Sequence, residues 1–137
     1  MTSGAPLASS RVNVSFGDCD PTGIVFYPNF FRWTDALFHL FLDARAGGHA
    51  GLCREIGAVG LGLMSVEMAF RAPVEPGQTL SLALDAIEWR DRSLTLAYSG
   101  QVGDRPAIRA SETRGVFILD EGRMRAGTTD VLRERLG

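Results

Sequence analysis

Asp18 and Asp20 stand two residues apart in the turn-forming segment Gly17-Asp18-Cys19-Asp20-Pro21-Thr22-Gly23. Gly, Asp and Pro in that density make a tight loop. Pro28 suits the first position of a helix, so both carboxylates precede a helix start. One reading is structural: acids before a helix cap it or favour the positive end of its dipole. The other is chemical. Ile24, Val25, Phe26 and Tyr27 form an apolar wall that ends at free helical N–H groups. A carboxylate beside such a wall suits acyl transfer, attacking a carbonyl or activating water while backbone donors hold the oxyanion. The residues alone leave the choice between Asp18 and Asp20 open.

Other familiar chemistries are missing. No Gly-x-Ser-x-Gly occurs, so the serine-hydrolase elbow is absent. All 14 basic residues are Arg, which excludes Schiff-base, pyridoxal-phosphate and phosphate-loop lysine chemistry. Gly57, Gly60 and Gly62 do not follow the dinucleotide-binding order. His39 and His49 lack the spacing of a metal pair, and Cys19 and Cys53 have no partner cysteines, so no metal is expected. Asp18 and Asp20 flank Cys19 and should raise its pKa, against a thiolate nucleophile. Asp-x-Asp could bind a divalent cation, but no third ligand stands at suitable spacing. Asp35, at i+4 from Phe31, falls on an apolar helix face, where it either bonds a buried partner or lines a pocket. Arg90 and Arg92 share one turn and could clamp a phosphate, or simply be solvated.

The elements that must position these residues follow from periodicity. The chain has 137 residues, 45% hydrophobic and 22% charged, with a net charge of −2. That is one compact domain, with no electrostatic case for nucleic acid. No apolar run is long enough for a membrane span, and residues 1–10 lack the basic and apolar regions of a signal peptide. A flexible N-terminus over 1–10, a domain over 11–137 and a cytoplasmic location with reduced thiols are the expectation. Val12, Val14 and Phe16 alternate as a short strand stopping at Gly17. A helix is expected from about Asn29 to Ala46, with apolar residues at 30, 33, 37, 40, 41 and 44 and a second stripe at 31, 38 and 42. A Gly-rich connection spans 47–62. Period-two alternation then runs through 64–70, 80–89, 94–98 and 107–119, broken by Pro-Gly, Asp-Arg-Ser and Gly-Asp turns. Residues 128–136 suit a short terminal helix. The pattern implies an α+β fold, a curled antiparallel five-stranded sheet wrapped around one long central helix, whose outer face suits self-association.

From Phe16 to Phe30 the sequence Phe-Gly-Asp-Cys-Asp-Pro-Thr-Gly-Ile-Val-Phe-Tyr-Pro-Asn-Phe resembles the 4-hydroxybenzoyl-CoA thioesterase family, the Pseudomonas-type branch of the hotdog-fold acyl-CoA thioesterases. The likeness continues through Arg32-Trp33-x-Asp35-Ala36 and returns more weakly at Glu88-Trp89-Arg90-x-Arg92-Ser93. It implies hydrolysis of an acyl-CoA thioester, with an aromatic acyl group favoured and no cofactor. Asp20 would be nucleophile or general base, the Tyr27 N–H would polarise the carbonyl, and Gly23 would let the chain approach the thioester. Ile24, Pro28, Phe31 and Asp35 would bind the acyl group, with Val66 and Met68 helping to shape its pocket. Arg90 and Arg92 would take coenzyme A phosphates. A dimer or tetramer with its site at the subunit interface is also implied. Thr22, where Ala is more usual, and Asp91 among the basic residues are departures. A non-catalytic acyl-CoA or acyl-carrier-protein binder is the alternative, as is a short- or branched-chain thioesterase. A hydratase would need a His/Asp pair that neither His39 nor His49 is placed to supply.

Overall fold

The computed structural model describes residues 4–137. The strands are β1 (Ala8–Asn13), β2 (Gly60–Phe70), β3 (Thr79–Trp89), β4 (Leu94–Val102), β5 (Arg105–Asp120) and β6 (Arg123–Gly127). The helices are α1 (Pro28–Ala46), α2 (His49–Ile56) and α3 (Asp130–Leu136), and a single 3-10 turn covers Phe16–Asp18. The sheet has six strands in the order β1-β3-β4-β5-β2, with β6 paired to β5. The α+β class and the antiparallel sheet are as expected; among the described residues the expected five strands are six, and the expected long helix (α1) and short terminal helix (α3) are joined by α2, which was not expected.

Each difference has a local cause. The two-residue loop Glu121-Gly122 takes positive φ at both positions, 52° and 79°, which turns β5 back into β6. The Gly-rich stretch contains α2 because its glycines sit at the helix ends. Gly48 (φ 109°) is its N-cap and Gly57 (φ 75°) its left-handed C-cap, where glycine is the least strained residue. β1 starts within the stretch expected to be flexible, pairing Ala8 with Leu84 and Asn13 with Thr79. It ends at Asn13, and Phe16 turns outward with 87% of its surface exposed. The expected residues 1–3 lie outside the described ones.

The chain divides into two compact units. One holds residues up to Phe38 with Met68–Ala86 and Ala97–Ala110, and its core includes Val25, Phe30, Leu37, Phe38, Leu80, Leu82, Leu84, Tyr98 and Ile108. The other holds His39–Glu67, Ile87–Leu96 and Ser111–Gly137, with Phe41, Leu42, Leu52, Leu61, Leu94, Leu96, Val116, Leu132 and Leu136 buried. Along α1 the buried positions 30, 34, 37, 38, 41 and 42 make one broad face at helical spacing. The two expected stripes are thus one, and Leu40, 51% exposed, falls outside it. In the second unit the buried Glu112–Arg114 pair (3.1 Å) is completed by Arg114 donating to the Leu61 carbonyl at 3.1 Å. Buried charges need that pairing and bonding together.

Candidate active site

The segment between β1 and α1 is closed by its own backbone. The Asp20 N–H donates to the Ile24 carbonyl at 3.0 Å, and the Gly23 N–H donates back to the Asp20 carbonyl at 2.9 Å. Gly23 has φ 87°, yet a Cβ there would meet nothing within 4 Å. Its constraint is therefore conformational, and the space beside it is open.

The two carboxylates, equivalent in the sequence, are not equivalent in the structure. Asp18 Oδ2 accepts the Ser15 N–H at 2.9 Å and the Ser15 hydroxyl at 3.1 Å, capping the 3-10 turn. Asp20 Oδ1 accepts the Thr22 N–H at 2.8 Å and the Thr22 hydroxyl, an Asx-turn geometry. Asp20 Oδ2 makes no hydrogen bond among the described residues. Cys19, between them, has its thiol pKa raised, first by partial burial and then by Asp18 and Asp20. It is a poor nucleophile.

The start of α1 is anchored to the same loop. The Phe26 N–H and the Asn29 side-chain amide both donate to the Asp18 carbonyl at 2.9 Å. The Asn29 N–H reaches the Phe26 carbonyl at 3.0 Å, the Phe30 N–H reaches the Tyr27 carbonyl at 3.1 Å, and Pro28 has no N–H to offer. Among the described residues the Tyr27 N–H has no acceptor. It is a helix-terminal donor available to a ligand.

A cavity of about 290 Å³ opens beside it, lined by Ile24, Val25, Tyr27, Phe30, Phe70, Arg71, Ala72, Pro73 and Val74. The Phe70 ring packs against Tyr27, Phe30 and Phe31 with centroids 6.4, 5.7 and 6.5 Å away. Asp20, Gly23, Ile24, Tyr27, Pro28, Phe31 and Asp35 all belong to the first unit. Of these, Ile24 and Tyr27 form cavity wall, Phe31 touches that wall through Tyr27 and Phe70, and Asp35 is half-buried further along α1. The stretch from Phe70 to Val74 was not foreseen as pocket wall, and Val66 and Met68 do not line the cavity. Backbone pairing of Val25 N–H to the Val74 carbonyl at 2.8 Å brings it there. That contact leaves no mark in local sequence.

Arg90 and Arg92 lie in the second unit. The turn closes through the Arg90 N–H to the Ser93 carbonyl at 2.8 Å. Arg90 pairs with Glu88 at 2.7 Å, both exposed, and Arg92 donates to the Ala126 carbonyl at 3.1 Å. Exposed pairs of this kind contribute little to stability. In the same unit the His39 and His49 rings lie 5.4 Å apart with their planes tilted by 56°, and His49 Nε2 accepts the Leu61 N–H at 3.2 Å with Cys53 Sγ 3.6 Å away. No group of three metal-ligating side chains occurs among the described residues.

The chain as a whole has known relatives. The 4-hydroxybenzoyl-CoA thioesterase of Pseudomonas sp. strain CBS-3 is 33% identical over 122 residues, covering 82% of this chain and 84% of the relative. The chain belongs to the 4-hydroxybenzoyl-CoA thioesterase family. A solved variant of 4-hydroxybenzoyl-CoA thioesterase complexed with 4-hydroxybenzoyl-CoA superposes with a TM-score of 0.81 at 29% identity, covering 93% of this chain and 96% of that one. A gentisyl-coenzyme A thioesterase superposes with a TM-score of 0.68 at 27% identity, over 77% of this chain and 86% of the other. No family model matches the chain. Membership of the 4-hydroxybenzoyl-CoA thioesterase family makes the chain a thioester hydrolase by descent, and the α+β arrangement of the sheet and helices is the family's own.

Proposed function

We propose that this chain hydrolyses an aromatic acyl-CoA thioester to the free acid and coenzyme A, with Asp20 as its catalytic carboxylate. The observation that carries the reading is the pair of unsatisfied groups in one motif: Asp20 Oδ2 and the Tyr27 N–H. The Tyr27 N–H polarises the thioester carbonyl and holds the oxyanion. In one route Asp20 takes a proton from a water that adds to the carbonyl carbon, and the C–S bond then breaks to give the acid. In the other Asp20 itself adds, the C–S bond breaks to leave an Asp20–acyl anhydride, and water cleaves that anhydride to the free acid and the regenerated carboxylate. In both the thiolate leaves and takes a proton. Gly23 leaves room for the approach, since nothing stands within 4 Å of its Cβ position. Ile24, Pro28, Phe31 and Asp35 shape the acyl side, and an aromatic acyl group suits a wall built from Tyr27, Phe30, Phe31 and Phe70.

Arg90 and Arg92 are proposed to receive the phosphates of coenzyme A, Arg90 by exchanging Glu88 for them. The protein is proposed to work as a hotdog-fold oligomer, dimer or tetramer, with the site at the subunit interface. Support comes from β2, an edge strand of the sheet that leaves Leu63, Met64 and Phe70 about half exposed. An open apolar edge of that length invites pairing with a second copy. A cytoplasmic location agrees with the two free thiols, Cys19 and Cys53. Among the described residues no helix is long and apolar enough to cross a membrane.

The test is thiol release from benzoyl-, 4-hydroxybenzoyl-, phenylacetyl-, short-chain and long-chain CoA thioesters, with Asp20→Asn beside the wild type. Turnover of the aryl thioesters that falls at least about a hundred-fold in Asp20→Asn is expected. Binding of every thioester without turnover in the wild type would make the chain an acyl-CoA binding protein instead.

A further inference from the structure

We infer that Arg71 makes this site selective for an acyl group that carries a carboxylate; the inference deepens the thioesterase reading and rests on it. Arg71 is the one charged residue in the cavity wall, whose other members are Ile24, Val25, Tyr27, Phe30, Phe70, Ala72, Pro73 and Val74. Its side chain has no ion pair or hydrogen bond among the described residues; only its backbone N–H is engaged, to the Ala107 carbonyl at 2.7 Å. Arg90, by contrast, already has Glu88, and Arg125 has Asp120.

The backbone that carries Arg71 is held on both sides. The Ala72 N–H also reaches the Ala107 carbonyl at 3.3 Å, the Val25 N–H holds the Val74 carbonyl at 2.8 Å, and Arg105 donates to the Pro73 carbonyl at 3.1 Å. The backbone at Arg71 is therefore fixed at the cavity wall, while its exposed side chain is free to turn toward a ligand. A carboxylate entering an otherwise apolar cavity is strongly disfavoured unless a cation meets it. A guanidinium meets it with two parallel hydrogen bonds, as an ammonium cannot. A neutral acyl group gains nothing from Arg71.

The position favours the acyl end over the coenzyme. Tyr27, whose N–H faces the thioester carbonyl in the proposed mechanism, is part of the same wall. Groups within that cavity are thus close to the thioester, whereas the coenzyme's phosphates lie at the far end of the pantetheine arm.

Binding is measured by calorimetry in an Asp20→Asn background, with and without Arg71→Gln. The ligands are benzoyl-CoA, the three carboxybenzoyl-CoA isomers and free coenzyme A. With Arg71 present, at least one carboxybenzoyl isomer should bind about ten-fold or more tighter than benzoyl-CoA. Arg71→Gln should erase that preference, Arg71→Lys should restore only part of it, and affinity for benzoyl-CoA and free coenzyme A should not change. No preference for any isomer overturns the inference. So does an equal loss on all ligands, free coenzyme A included, which would make Arg71 a phosphate contact. Selective binding together with a wild type that turns over no thioester would sink the catalytic reading and leave the selectivity standing.

Discussion

Thr22 holds one oxygen of Asp20 twice, through its N–H at 2.8 Å and through its hydroxyl, while the other carboxylate oxygen has no protein partner among the described residues. The loop thereby fixes the direction of the free oxygen without consuming it. In the proposed mechanism Thr22 is a positioning residue, acting through Asp20.

Thr22→Val keeps the size and the backbone donor but removes the hydroxyl. One hydrogen bond of this sort is worth about 1 kcal/mol, so kcat should fall roughly five-fold with KM little changed. Thr22→Ser should recover most of the loss. Wild-type kcat in Thr22→Val would show that the N–H alone orients Asp20.

Asp18 and Asp20 should separate cleanly by assay. Asp18 Oδ2 bonds both the N–H and the hydroxyl of Ser15, so Asp18→Ala removes a cap and should cost about 0.5–2 kcal/mol of stability. Its kcat should stay within a few-fold of wild type. Urea unfolding beside thiol release measures both quantities. Asp18→Ala dead and Asp20→Asn active would exchange the two roles.

The Cys19 thiol, with its pKa raised above the ordinary value of 9.0, should alkylate slowly near pH 8 and faster as the solution becomes more alkaline. The sign follows from which form the fold prefers. Partial burial and two neighbouring carboxylates disfavour the thiolate, so the folded state holds its proton more tightly than the unfolded one. The stability this contributes is present below the ordinary thiol pKa and is lost as pH rises through the folded value. Removing one charge in Asp18→Asn should speed labelling by iodoacetamide, read by mass spectrometry on the Cys19 peptide. Fast labelling at pH 7 in the wild type would contradict the geometry.

What the sequence made legible was local. The Asp20 turn, the entry into α1 at Pro28 and the terminal helix α3 each depend on residues within a few positions of one another. The cavity wall from Phe70 to Val74 depends on pairing between Val25 and Val74, which no window of sequence contains. α2 was hidden for another reason: Gly48 and Gly57 are its end caps, and composition alone does not separate glycines that end a helix from glycines that prevent one. The meeting of His39, His49 and Cys53 follows from α2 and was hidden with it.

Gly62 in β2 should resist the substitution that ordinarily strengthens a strand. Exchanging a strand glycine for alanine normally gains about 0.5–1 kcal/mol. At Gly62 a Cβ would stand 1.9 Å from the ring of Phe117, on the neighbouring strand β5. The ring lies over the glycine and is also 3.0 Å from the Cβ position of Gly115, so its room to move is restricted. Overpacking of this kind costs about 1–3 kcal/mol, enough to reverse the sign. Gly62→Ala should therefore unfold at lower urea than wild type, and Gly62→Ala combined with Phe117→Leu should recover part of the loss. Because β2 is the strand proposed to face a second copy, Gly62→Ala should also shift the oligomer toward monomer in sedimentation at equal protein concentration. A more stable Gly62→Ala protein would mean that Phe117 does not seat on Gly62 in solution.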